Sequence, residues 1–170
     1  MTPPLPSEYS PFAATYVNLA VMHSDVIMLL SNLKDSTYQA FIQLPADKAD
    51  YAYAPGKWTV KQMLGHIIDT ERVFSYRLYC ISRGDETAFP GFDQDNYVEN
   101  TDLSKRSIQE LAIEFKILRE ANLLFINNLT DLQLSRIGSA SNHPVSVKAL
   151  LYMMAGHELH HLNILKERYL

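Results

Sequence analysis

Three histidines crowd one turn of sequence near the C-terminus, in the string His157-Glu158-Leu159-His160-His161. The string satisfies H-E-x-x-H, in which two histidines a helical turn apart hold zinc and the glutamate acts as general base. A zinc protease also needs a third ligand beyond that helix, and the longer form of the motif needs a glycine to turn the chain back. Ile164 stands at the glycine position and Glu167 at the last histidine position. The protease reading fails, and any third ligand must come from upstream.

A heptad frame over this segment puts Val147, Met154, His161 and Arg168 at one core position and Leu150, His157 and Ile164 at the other. His157 and His161 therefore share one face, where leucine or isoleucine would ordinarily lie, and His160 falls on the flank. Two stacked imidazoles in a core are costly unless their nitrogens are tied down. Hydrogen bonds to core neighbours would do this, and so would a divalent metal. Upstream, His66 lies in GHIIDTERVF, on a lane with Thr70, Val73 and Arg77 at about 100° per residue. His23 and His143 lie beside turn residues and are weaker candidates.

Those histidines need helices to carry them. Residues 24–44 hold neither proline nor glycine and repeat Val26, Leu30, Leu33, Thr37, Ala40 and Leu44 at helical spacing. Thr59-Val60-Lys61-Gln62 reads as a capping box opening a helix from about 60 to Ser82. A third helix is expected from about 105 to 129, with Ile108, Leu111, Phe115, Leu118, Phe125 and Leu129 on its stripe and Asn122 as the polar exception. The fourth should run from about 147 to 169. The intervening segments 45–58, 83–103 and 130–145 read as loops, and no strand is credible. The expectation is a single all-α domain over residues 1–170, a four-helix bundle, with residues 1–22 as an N-terminal extension carrying a short helix from Pro11 to about Val21, capped by Ser10. The long 83–103 loop can span a helix of about 30 Å, so the second and third helices can run parallel.

Composition narrows the partners. A net charge of −4 with no basic patch argues against nucleic acid and anionic membranes. One cysteine, Cys80, excludes an intrachain disulfide and fits a reducing compartment. With no signal peptide or membrane segment in view, a cytoplasmic globular domain is expected.

GHIIDTERVF and GHELHHLNILKERYL, with PGKWTV before the second helix and SRGDETAFPGFDQDNY after it, resemble the DinB/YfiT-like superfamily of metalloenzymes. The resemblance spans about Ser24 to Leu170. It implies an up-down-down-up bundle, a homodimer, and a metal triad of His66, His157 and His161. Three imidazoles without a fourth protein ligand suit Zn²⁺ or Ni²⁺ and leave open positions for Lewis-acid chemistry. Cys80 is too far along the helix to close the site. Glu158, about 80° around the helix from the mean direction of the histidine pair, is a candidate general base. Arg77 could hold an anionic group of a substrate. Asp69 and Glu71 could orient imidazoles or pair with Arg72; Phe89, Phe92, Gln94, Asp95 and Tyr97 could roof a pocket; Trp58 and Tyr152 read as packing. By the same resemblance, the leading activity is transfer of a low-molecular-weight thiol cosubstrate to an electrophile. Metal-dependent hydrolysis and a non-catalytic metal- or ligand-binding stress protein are the alternatives.

Overall fold

The computed structural model describes residues 1–170, the side chain of Ala46 excepted. Seven α-helices are labelled in chain order: α1 Ala14–Val21, α2 Val26–Ile42, α3 Val60–Ser82, α4 Gln94–Glu99, α5 Ile108–Ile126, α6 Asp131–Leu134 and α7 Val147–Ile164. Helices α2, α3, α5 and α7 form the four-helix bundle, and α7 continues as a π-helical turn, Leu165–Tyr169.

Local chemistry sets where these helices begin. Thr59 accepts from the Gln62 amide while the Gln62 side chain caps Thr59, so the capping box at α3 forms as read from the sequence. Ser107 and Glu110 make a second capping box at α5, and the side chains of Asp25 and Ser146 cap α2 and α7. The segment from Pro11 enters α1 through a 3₁₀ turn, Pro11–Ala13, and Ser10 makes no side-chain cap there.

Side-chain pairings fix the directions of the helices. Leu30, Lys34 and Tyr38 of α2 meet Arg119, Glu120 and Lys116 of α5, which is an antiparallel order. Lys61, Glu71 and Tyr79 of α3 meet Arg106, Arg119 and Phe125, so α3 and α5 run parallel. Trp58, His66 and Phe74 meet Tyr169, His161 and His157, which makes α7 antiparallel to α3. The bundle is up-down-down-up, and the segment between α3 and α5 is the crossover.

Two of the expected loops carry structure. Strands β1 Ala88–Phe89, β2 Ile137–Ala140 and β3 His143–Ser146 form a small sheet, with β1 parallel to β2 and β2 antiparallel to β3. The β2–β3 hairpin turns on Ser141 and Asn142, whose φ values of 53° and 62° lie in the left-handed region that a two-residue turn matching the strands' right-handed twist requires. Short helices α4 and α6 occupy the rest of the crossover and the last loop. No single helix among the described residues is long and apolar enough to cross a membrane.

At the bundle centre lies an ion network. Arg119, with no exposure, donates from Nε and Nη2 to the two Glu71 oxygens at 2.7 and 2.8 Å, and from Nη1 to the Leu30 carbonyl at 3.2 Å. Its Nη2 also lies 2.8 Å from Glu158 Oε2, and Thr37 donates to the other Glu158 oxygen. Asn122 donates to Glu71 at 2.9 Å. Burial opposes the Arg119 charge, but the Glu158 and Glu71 carboxylates outweigh it and raise its pKa. All four bundle helices contribute to this one cluster.

Helix α1 packs across α7 at Gly156, where a Cβ would sit 1.8 Å from the Tyr16 carbonyl oxygen. That obstacle is backbone and cannot rotate away. Gly156→Ala should therefore push α1 off α7 and destabilise the fold by about 3 kcal/mol, the upper end of overpacking costs. In thermal unfolding this is a drop of about 6–12 °C for a chain of this size. A variant that melts with the wild type would show that α1 does not sit there.

Candidate metal centre

Helix α3 delivers His66 and helix α7 delivers His157 and His161 one turn apart, and all three are buried. His66 Nε2 lies 2.8 Å from His157 Nε2, and His161 Nε2 lies 3.1 Å from the same atom. The three candidate ligand atoms fall within 4.8 Å of one another. Hydrogen bonding alone does not account for this cluster. A neutral imidazole Nε2 is either one donor or one acceptor, so His157 Nε2 can satisfy only one of its two contacts. A cation takes all three lone pairs at once. With Zn–N of about 2.0–2.1 Å, tetrahedral ligand nitrogens lie ~3.3 Å apart, so the two pairs that share His157 need only a slight spreading to fit.

Burial also sets the charge state. Desolvation, with His160 adding to it, lowers the His66 pKa to about 4, and desolvation with His66 and His160 lowers that of His161 to about 3. His157 is pushed well below the ordinary value by desolvation and its histidine neighbours. The donors are therefore neutral at pH 7, the form that binds metal.

Aromatic rings brace the triad. Trp58 packs on His66 with centroids 4.8 Å apart and stacks at 6.4 Å on His161. From α1, Tyr16 packs edge-to-face with His157 and His160, ring centroids 5.3 and 5.6 Å apart. Trp58 was expected to serve as packing, and Tyr16 had no signal in the sequence. Trp58 is also the chain's one tryptophan. Titrating Co²⁺ or Ni²⁺ should quench its fluorescence with an endpoint of one ion per chain, because open-shell ions quench an adjacent indole. His161→Ala should abolish that endpoint, and an unchanged titration in the variant would place the ion elsewhere.

Two cavities reach the triad from different sides. One of about 660 Å³ touches His161 and is bordered by Trp58, Lys57, Asp95, Glu99 and Tyr169. The other, of about 460 Å³, touches His66 and His157 and includes Thr70, Phe74, Arg77 and Phe92. The expected roof divides between them: Phe92 and Gln94 line the second cavity and Asp95 the first, Tyr97 packs on Phe92, and Phe89 is buried against Tyr76. His143, discounted from its turn position, also borders the second cavity. Tyr152 is core, as its pattern suggested.

Two of the three candidate carboxylates, Glu158 and Glu71, are placed otherwise than expected, and Asp69 pairs with Arg72. Glu158 is 1 % exposed and held by Arg119 and Thr37 in the central ion network, so its carboxylate is engaged away from base duty. Glu71 is committed to Arg119, not to Arg72 or an imidazole. Asp69 lies 3.9 Å from Arg72, whose closer partner is Glu114.

An up-down-down-up helical bundle with three convergent, neutral histidines defines a class of protein whose donor set supports a metal-dependent function. The chain belongs to the DinB superfamily, whose sequence profile matches residues 28–165. Among solved structures it is similar to YfiT from Bacillus subtilis, described as "a probable metal-dependent hydrolase with an unusual four-helix bundle topology". That pair has a TM-score of 0.76 at 19% identity, covering 94% of this chain and 91% of that one. It is also similar to YjoA, a DinB-like protein from Bacillus subtilis, with a TM-score of 0.59 at 20% identity over 83% of this chain and 86% of that one. At these identities the likeness speaks to fold alone. No curated protein matches the chain.

Proposed function

We propose that the chain is a metal-dependent enzyme whose three-histidine centre, His66, His157 and His161, holds one divalent ion, Zn²⁺ or Ni²⁺, and catalyses transfer of a small thiol to an organic electrophile. The observation that carries this reading is the convergence of two organic-sized cavities on one donor triad. A transfer reaction needs room for two organic partners at one centre, whereas hydrolysis needs one partner and water.

A divalent ion held by three imidazoles supplies Lewis acidity, which makes a thiol or water nucleophilic at neutral pH and polarises an electrophile. The chain's own residues do the rest. Burial keeps the imidazoles neutral, and the rings of Trp58 and Tyr16 fix their orientation and thin the water around them. Lys57, Asp95 and Glu99 give the larger cavity the polar wall that a charged thiol cosubstrate needs. Phe74 and Phe92 give the smaller one an apolar wall for the electrophile.

Hydrolysis is the second reading, favoured by the likeness to YfiT. Product masses separate the two. Untagged, zinc-loaded protein is incubated with 1-chloro-2,4-dinitrobenzene and a panel of cysteine-derived thiols. Transfer forms a carbon–sulfur bond, expels chloride and releases the thiol proton to solvent, giving the thioether mass above the uncatalysed rate. Formation of dinitrophenol, independent of thiol, would favour hydrolysis. No rate above background with any thiol or with water would count against both.

A further inference from the structure

The smaller cavity holds two polar groups that the metal centre does not use. Arg77 is 6 % exposed and gives one N–H to the Pro90 carbonyl at 2.6 Å. The remaining guanidinium donors face no carboxylate within ion-pair distance among the described residues, and burial lowers the pKa of the group with only Tyr97 to oppose it. Arg119, also buried, is gripped by two carboxylates. A buried guanidinium without a counter-ion is expensive, and a ligand anion would relieve it. Thr70 repeats the pattern on a smaller scale: it is 2 % exposed, lines the same cavity one turn from His66, and its hydroxyl has no partner. A buried hydroxyl is normally satisfied.

Resting on the triad as a metal centre, we infer that this cavity takes a small organic carboxylate as the electrophilic substrate. Arg77 holds its carboxylate, Phe74 and Phe92 flank its apolar body, and its reactive group lies at the histidines within reach of Thr70. The guanidinium carbon is 6.0 Å from the Phe74 ring centre and 5.9 Å from that of Phe92. The Phe74 ring is 6.3 Å from His157. Phe74 thus lies beside both the guanidinium and a triad imidazole, and the cavity that all three line connects cation to triad. The volume of about 460 Å³ suits a small organic carboxylate. A single planar guanidinium fork matches the two oxygens of a carboxylate. Asp93 borders the same cavity, its carboxylate accepting from the Asp95 and Asn96 amides at the start of α4.

The test is calorimetric titration of phenylacetate, phenylacetamide and phenethylamine into untagged protein, both metal-free and zinc-loaded. Phenylacetate should bind both forms at least tenfold more tightly than the amide, and the amine should not bind. Arg77→Gln should weaken phenylacetate at least tenfold in both forms, and Arg77→Lys by less, with one zinc per chain retained in each variant. The inference is overturned if the amide binds as well as the acid, or if Arg77→Gln leaves phenylacetate binding unchanged because the carboxylate sits on zinc alone. It is also overturned if wild-type protein retains zinc but binds no phenylacetate. Arg77-dependent binding to metal-free chain that takes up no zinc would support the anion site and remove the metal reading. Should Arg77→Gln not fold, the lysine variant and the probe series decide.

Discussion

His157→Ala protein is expected to bind zinc on the order of 10²–10³-fold more weakly than wild type, with its fold retained. The triad provides three protein donors, and structural zinc with four donors is held by about 10–16 kcal/mol, so one donor is worth ~2.5–4 kcal/mol. His157 is the donor to remove because its Nε2 lies between the other two, at 2.8 and 3.1 Å. Without it, His66 and His161 sit on different helices with no bridging atom. The metal-free variant should keep its helical circular dichroism, since it also loses the contact that its Nε2 could not satisfy. Competition titration against a chelator of known affinity measures the effect. Zinc affinity within a few fold of wild type would mean that His157 is not a ligand.

Arg119→Met should lower stability by about 3–5 kcal/mol, the cost of leaving buried carboxylates without their cation. For a chain of this size that is a fall in melting temperature of roughly 6–20 °C. Methionine keeps much of the arginine stem's volume, so the loss reports charge and not a cavity. Burial already raises the pKa of Glu158 against the pull of Arg119, so the carboxylate will take up a proton once the cation is gone. Adding Glu71→Gln and Glu158→Gln to Arg119→Met should therefore recover part of the loss, and thermal unfolding of the series measures both steps. The single variant Glu158→Gln should keep one zinc per chain, in line with a place in the ion network. Equal melting of Arg119→Met and wild type would contradict the network.

Much of this was legible from residue order. The α3 capping box, the long crossover and the i, i+4 histidine pair each rest on local rules, and each forms. His66 stood out upstream on its own helical lane, and the resemblance joined it to the pair, which spacing on one helix cannot do. What was hidden depends on contacts between distant segments. The β2–β3 hairpin turns on Ser-Asn, without the glycine that marks such turns, and two-residue β1 finds its partner some 50 positions away. Arg119 could have been found: it falls on the buried α5 stripe of Ile108, Ala112, Phe115, Leu123 and Ile126. Drawing the stripe through Leu118 and Phe125, both only partly buried, put Asn122 inside and missed it. Glu158 looked available beside the histidines because helical angles give direction and not occupancy. Its partners come from α2 and α5, more than a hundred and about forty residues away.

X-ray absorption at the zinc edge of untagged, zinc-loaded protein tests the central idea most directly. Three imidazole nitrogens at about 2.0–2.1 Å, the remaining first-shell atoms coming from solvent, are the predicted coordination. A zinc coordinated by the Cys80 sulfur, or by fewer than three imidazoles, would contradict it.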